Sequence, residues 1–210
     1  ALALLNDGRE VTVIDAGRIG GGASHGNCGT ITPSHAPPLA APGMVAKAMK
    51  WMLSPEAPLY IQPRLDPALA YWLIRFAGRC NRRDWRESAL AKSALLESSR
   101  RLLAELVASE NLDCEFEAQG LRYVFRDPRA FELACADLPA LATLGIEAQA
   151  LDAAVLAAAE PALLPGLAGG IHFPNDAHLR PDRYATALAR AVRDAAATES
   201  AAGFTTPSSR

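Results

Sequence analysis

The sequence predicts an α/β chain, and three observations carry that expectation. It opens on a helix–glycine–strand–acid order, a glycine-rich loop follows the acid, and later stretches alternate between three- and four-residue apolar spacing and short β-branched or aromatic runs. Leu2, Leu4 and Leu5 lie among good helix formers, and Asn6-Asp7-Gly8 supplies a stop with Gly8 suited to the left-handed position after the cap. Val11-Thr12-Val13-Ile14 is an apolar, β-branched run fit for a parallel sheet covered on both faces, and it ends at Asp15.

In a dinucleotide-binding βαβ unit, a carboxylate at the end of the second strand accepts hydrogen bonds from adenosine ribose hydroxyls. It lies about 20 residues beyond the first glycine of the phosphate-binding turn. Counting back from Asp15 lands before residue 1, so the absence of that fingerprint is uninformative. An acidic residue at an exposed strand end is the competing reading of Asp15. The next segment, from Gly17 to Ile31, holds six glycines in thirteen residues, interleaved with Ile19, Ala23, Cys28 and Ile31. Such a loop lets backbone amides approach a phosphate or ring closely, and Ser24 and Asn27 add hydrogen-bonding side chains. A flexible tether is the bland alternative, but the interleaved apolar residues suit a shaped binding loop better.

Composition sets the frame. The chain has 210 residues, 50% hydrophobic, with a net charge of −2, which suits one or two folded domains and excludes disorder. Its 21 Lys+Arg against 23 Asp+Glu give no electrostatic reason to bind nucleic acid. The one basic knot, Arg79, Arg82, Arg83 and Arg86, reads as a solvated helix start or as a contact for an anionic membrane surface or partner. Cys28, Cys80, Cys114 and Cys135 are too far apart for a CxxC pair, which predicts reduced thiols in a cytosolic setting. The 43 alanines, and 18 Arg against 3 Lys, suggest a GC-rich bacterial coding sequence. No apolar run reaches the roughly eighteen residues a spanning helix needs, and the start lacks the pattern of a signal peptide. The missing initiator Met and a first residue already inside a helix predict a fragment.

An ordered set of motifs carries a family resemblance. Val11-Thr12-Val13-Ile14-Asp15, Gly22-Ala23-Ser24 with Asn27 and Gly29, Pro33, Ala41-Pro42-Gly43 and Lys50-Trp51-Met52 together resemble the small subunit of FAD-dependent D-amino-acid dehydrogenases, within the wider D-amino-acid oxidase and glycine oxidase family. The similarity extends to about residue 195. It implies an incomplete Rossmann-like FAD-binding domain with an inserted α+β substrate domain. The expected boundaries are 1–65 for the first part of the FAD domain, 66–175 for the substrate domain, 176–197 for a returning helix and 198–210 for an irregular tail. Asp15 would bind adenosine ribose, and Ser24, His25, Asn27, Cys28, Gly29 and Thr30 would run along the pyrophosphate toward the flavin.

The implied reaction is oxidation of a D-amino acid to an imino acid by hydride transfer to flavin, then hydrolysis to a 2-oxo acid and ammonia. The resemblance also implies electron transfer to a membrane quinone, and a cytoplasmic location peripheral to the inner membrane. A sister flavoenzyme acting on glycine, sarcosine or a hydroxyproline is an open alternative, as is an inactive truncated interaction module. With the glycine fingerprint and the family's remaining half outside the chain, FAD retention is expected to be weak or absent.

The middle of the chain reads element by element. Prolines at 37, 38, 42, 55, 58, 63 and 67 mark an irregular crossing, interrupted by an amphipathic piece over 45–53 whose Met44, Met49, Trp51 and Met52 read as core packing. Pro67 after Asp66 suits a first helical position, and Leu69, Trp72, Leu73 and Phe76 form one apolar face. A long helix is expected over 84–109, with Leu95, Leu96, Leu102, Leu103, Leu106 and Val107 as its buried stripe. Residues 114–117 and 121–125 read as an antiparallel pair joined through Gln119-Gly120. Asp127-Pro128 starts a helix that Gly145 stops, residues 160–163 form a helical turn before a strand at 169–174, and a helix follows over 181–193.

Competing chemistries are weaker. His25, His35, His172 and His178 show no metal-ligand spacing. Gly22-Ala23-Ser24-His25-Gly26 satisfies the letters of a hydrolase elbow, but that turn needs a strand before the serine and a helix after it, and neither flank fits. Glu115 and Glu117 share a strand face and read as solvent-facing.

Overall fold

The computed structural model describes residues 1–52 and 65–202. In chain order its elements are α1 (Leu2–Asn6), β1 (Thr30–Ile31), a 3₁₀ turn (Pro33–His35), α2 (Met44–Trp51), α3 (Pro67–Arg79), α4 (Arg82–Ser109), β2 (Leu121–Phe125), α5 (Pro128–Ala142), β3 (Gln149–Asp152), α6 (Ala153–Ala159), β4 (Gly169–Phe173), β5 (Ala177–His178) and α7 (Pro181–Ala202). The chain therefore mixes helices with two small sheets. It divides into two compact units: Ala1–Ile31, Ser99–Leu121 and the described residues from Pro174 form one, and Thr32–Ser98 with Arg122–Phe173 form the other.

In the first unit α1 packs against α7. The helix stop predicted at Gly8 is present: Gly8 has φ +69°, its N–H donates to Leu5 O at 2.8 Å, and Arg9 N–H donates to Leu4 O at 2.9 Å. That pair of bonds closes the helix end by the Schellman pattern. β5 is the unit's organising strand. It pairs antiparallel with β1, Thr30 opposite His178 and Ile31 opposite Ala177, and on its other side Glu117 and His178 exchange both backbone hydrogen bonds. Beneath it Leu112, Cys114 and Leu179 are buried, with Leu103, Leu106, Val107 and Tyr184 packed around them.

Two strand expectations are corrected here. Residues 11–14 form no strand, and Ile14 is 90% exposed. No described strand lies beside this run, so it has no ladder to join and its apolar side chains meet water. The hairpin expected between 114–117 and 121–125 does not form either. Glu115 sits at φ +50°, outside strand geometry, Glu117 pairs with β5, and β2 joins β4 instead.

The second unit is built around a three-stranded sheet ordered β2-β4-β3, with β3 and β4 antiparallel from Gln149 opposite His172 to Asp152 opposite Gly169. Aspartates begin three of its helices. Asp66, Asp127 and Asp152 accept hydrogen bonds from the N–H groups of Leu69, Arg129 and Val155, at 3.0, 3.1 and 2.8 Å. Pro67 and Pro128 take the first helical positions as predicted. Leu156 on α6 is wholly buried where that helix packs on β3 and β4. Ala36, Ala89, Leu144 and Ile146 form a second core cluster with Trp85, Leu96 and Phe173.

Several helical details differ from expectation. The long helix begins at Arg82, and its buried stripe runs through Leu96, Leu103, Leu106 and Val107, while Leu95 and Leu102 point to solvent at 70% and 54% exposure. A shift of one residue turns a helical position by about 100°, enough to carry a leucine off the buried face. Neither α2 nor α3 contributes a buried residue: of the four residues expected as core packing, Met49 is exposed and Met44, Trp51 and Met52 are only half-buried, and Trp72 on the apolar face of α3 is exposed; Leu53, Pro55, Pro58 and Pro63 lie outside the described residues. α7 continues to Ala202, past the point where an irregular tail was expected; residues 203–210 lie outside the described residues. Replacing Leu156 by Ala should lower unfolding stability by about 2–5 kcal/mol, whereas Leu95→Ala should change it by about 0.5 kcal/mol or less, read from denaturant midpoints.

Candidate functional site

The glycine-rich loop is a chain of short turns fixed at its end. The Asp15 carboxylate accepts from Gly17 N–H at 2.8 Å, Gly21 N–H donates to Arg18 O at 3.0 Å and His25 N–H to Gly22 O at 3.0 Å. The Asn27 side chain clasps the last bend, donating to Ala23 O at 3.2 Å and accepting from Gly29 N–H at 2.7 Å. Leu179 N–H then donates to Gly29 O at 3.0 Å, which joins the loop to β5 and the start of α7.

Gly29 is the position where glycine is obligatory. Its φ is +66°, and a Cβ there would stand 1.9 Å from Leu179 O. Gly20 likewise faces Ala185 of α7, with only 2.9 Å for a Cβ. These glycines serve the chain's own close packing. Gly22 and Gly26 have open space where a side chain would be, so the bend between them is the part of the loop free to receive a ligand.

The seven candidate residues do not converge on one hollow. Asp15, His25, Asn27, Cys28 and Thr30 are exposed, while Ser24 and Gly29 are half-buried. A groove of about 550 Å³ runs beside the loop, and of the seven only His25 lines it. Its cationic walls are Arg18, Arg183 and Arg190. Sequence reasoning missed these; the signal available was the seven-residue step from Arg183 to Arg190, which puts both on one helix face. Arg183 is shared with Glu115 at 3.0 Å and Asp113 at 3.5 Å. Arg180 holds the Asp182 carboxyl below its usual range by hydrogen bonding at 2.8 Å. Burial raises the pKa of the Cys114 thiol and of the Tyr184 hydroxyl.

Ser24 is flanked by turns, with β1 and no helix after it, so the geometry of a hydrolase elbow is missing. Among the described residues no cluster of three or more His, Cys, Asp or Glu could hold a metal ion, and no helix is long and apolar enough to cross a membrane.

A family model described as FAD dependent oxidoreductase matches residues 1–199. The chain belongs to this family. Among curated members of the FAD-dependent oxidoreductases, it is 37% identical over 179 residues to a D-amino acid dehydrogenase from Rhizorhabdus wittichii, covering 82% of this chain and 42% of the relative. It is 35% identical over 199 residues to a D-amino acid dehydrogenase from Methylobacterium nodulans, covering 90% and 47%. The chain thus spans less than half the length of these relatives. A glycine oxidase structure from Bacillus cereus shares 19% identity at a TM-score of 0.44, over 47% of this chain and 28% of that one, too partial an overlap to add to the assignment.

Two measurements probe this geometry. Gly29→Ala should destabilise the protein by more than about 2 kcal/mol, since it adds left-handed strain to a backbone clash; thermal melting checks it. A thiol reagent should label exposed Cys28 quickly and Cys114 only on unfolding, because Cys114 is buried and its thiolate disfavoured, as mass spectrometry of quenched samples will show.

Proposed function

We infer that this chain forms the nucleotide-holding edge of an FAD-dependent enzyme that oxidises D-amino acids to 2-oxo acids and ammonia. The observation that carries the substrate class is the identity of 35–37% with D-amino acid dehydrogenases over most of the chain. Residues 1–65 and 176–197 are assigned to a Rossmann-like FAD domain, and residues 66–175 to an inserted substrate domain.

The loop's chemistry supports FAD as the ligand. Asp15 is exposed and spends one carboxylate oxygen on Gly17, leaving acceptor capacity for ribose hydroxyls. The open bend at Gly22 and Gly26 would admit the pyrophosphate to backbone amides, with Ser24, His25 and Asn27 beside it. Cys28, Gly29 and Thr30 would carry the chain on toward the flavin. FAD, when bound, supplies the two-electron acceptor for the substrate α-C–H bond. The chain's part is orientation: a loop anchored at Gly29 fixes where the nucleotide lies, and no catalytic side chain is assigned. A membrane quinone is the proposed onward acceptor, with the enzyme peripheral to the membrane.

The test uses a chain of the relatives' full length carrying these residues. It should purify with a yellow chromophore that D-alanine bleaches under anaerobic conditions. A colourless protein, or bleaching by sarcosine and not by D-alanine, contradicts the reading. Asp15→Ala in that chain should weaken FAD binding by about 1–3 kcal/mol, the loss when a polar group in the complex is left unpaired, measured by flavin fluorescence titration.

A further inference from the structure

Two polar side chains of the second unit meet apart from the loop and groove. His35 ends the 3₁₀ turn Pro33–His35 and Tyr123 lies on β2, both within that unit. The Tyr123 hydroxyl stands 2.8 Å from His35 Nε2, in an exposed hydrogen bond that joins residues 88 positions apart. The two ring centres are 5.7 Å apart, and the Tyr123 ring packs at right angles on Phe173 at 5.4 Å. Lys92 Nζ, on α4, donates to the His35 carbonyl at 2.9 Å. The titratable groups set against His35 are thus a phenol and an ammonium, with no carboxylate to pair with the ring.

The bond is not what holds the turn. Pro33 fixes its first φ, Ser34 and Ala36 are buried on either side of His35, and Ala36 belongs to a core cluster of the unit. An exposed hydrogen bond adds little to such an anchor. Turn and sheet instead fix both rings and present to solvent a hydroxyl backed by an imidazole, a couple able to pass a proton. Oxidation of an amino acid needs such a group. The nitrogen lone pair must be free to become part of the C=N bond as hydride leaves the α-carbon, and a substrate ammonium has no lone pair to give. The inference rests on the flavin reading above: Thr30 closes the stretch assigned toward the flavin, and His35 follows five residues later, a reach of at most about 18 Å.

We propose that Tyr123 and His35 together take the proton of the substrate ammonium. Tyr123 Oη accepts it as its own hydroxyl proton passes to His35 Nε2. The freed lone pair forms the C=N bond while the α-C–H electron pair leaves as hydride to FAD, and the exposed imidazolium returns its proton to water. Tyr123 meets the substrate, and His35 acts through it. The step requires that neutral His35 carry its proton on Nδ1, so that Nε2 accepts from the phenol.

Two experiments test it. In the 210-residue chain, nitrogen NMR of the imidazoles should show neutral His35 protonated at Nδ1, with Tyr123→Phe shifting the Nε2 resonance. A proton on Nε2 would run the bond the other way and overturn the proposal. In a chain of the relatives' full length, anaerobic bleaching of the flavin by D-alanine is timed against pH. His35→Gln can still accept the Tyr123 hydrogen bond but not its proton, and should slow bleaching at neutral pH by about 100-fold or more, as should Tyr123→Phe. Both deficits should shrink at alkaline pH, where the substrate amine sheds its proton unaided; thermal melting checks that the variants fold. Parental rates at neutral pH, or a deficit equal at every pH, would overturn the pair's role and leave the flavin reading standing, whereas a colourless full-length protein would overturn both.

Discussion

One backbone hydrogen bond, from Leu179 N–H to Gly29 O, ties the glycine-rich loop to the rest of its unit. It forms only because Gly29 has no side chain: the space a Cβ would fill already holds the Leu179 carbonyl. From this point order spreads both ways along β5. Ile31 and Thr30 pair with it on one side and Glu117 on the other, Arg180 N–H reaches Cys114 O at 2.8 Å, and Leu179 closes the apolar cluster with Leu112 and Cys114. Among the described residues, the segment from Asp15 to Cys28 has no comparable tertiary anchor beyond Gly20 against Ala185. It is a surface bend held at one end.

That arrangement divides the glycines by task. Gly20 and Gly29 let backbone and helix approach each other, and Gly22 and Gly26 leave a bend open to solvent. A nucleotide site needs both: a fixed base, so that little order must be imposed on binding, and bare amides that a phosphate can reach. Asp15 stands at the loop's start and His25 lies within the open bend and lines the groove, and Arg18, Arg183 and Arg190 add positive charge nearby. The groove is also rich in acids, Asp113 and Asp182 among them, which offset much of that charge.

The sequence was most informative where a structure is decided locally. Asp66-Pro67 and Asp127-Pro128 announce helix starts because a capping carboxylate and a fixed proline φ act within one turn, and Gly8 and Gly145 mark helix ends through the positive φ they adopt. Strand pairing was least legible. Whether 11–14 or 114–117 becomes a strand depends on which distant segment lies alongside, and β5, the true partner of Glu117, is sixty residues further on. The same limit hid β3 and α6, although Asp152 was available as a cap signal. Periodicity located the long helix but not its buried face, since Leu95 and Leu96 are equally apolar and only packing separates them. For the candidate site, composition and order identified the loop, but not which glycines serve packing and which stay open.

Amide hydrogen exchange, resolved residue by residue in the native chain, tests the junction most directly. The account predicts that the Leu179 and His178 amides exchange slowly, close to those of the core strand β4, while the amides of Gly22 and Gly26 exchange at nearly the unprotected rate. Leu179 exchanging as fast as Gly26 would show that the loop is not anchored there, and the placement of every candidate residue from Asp15 to Thr30 would lose its basis.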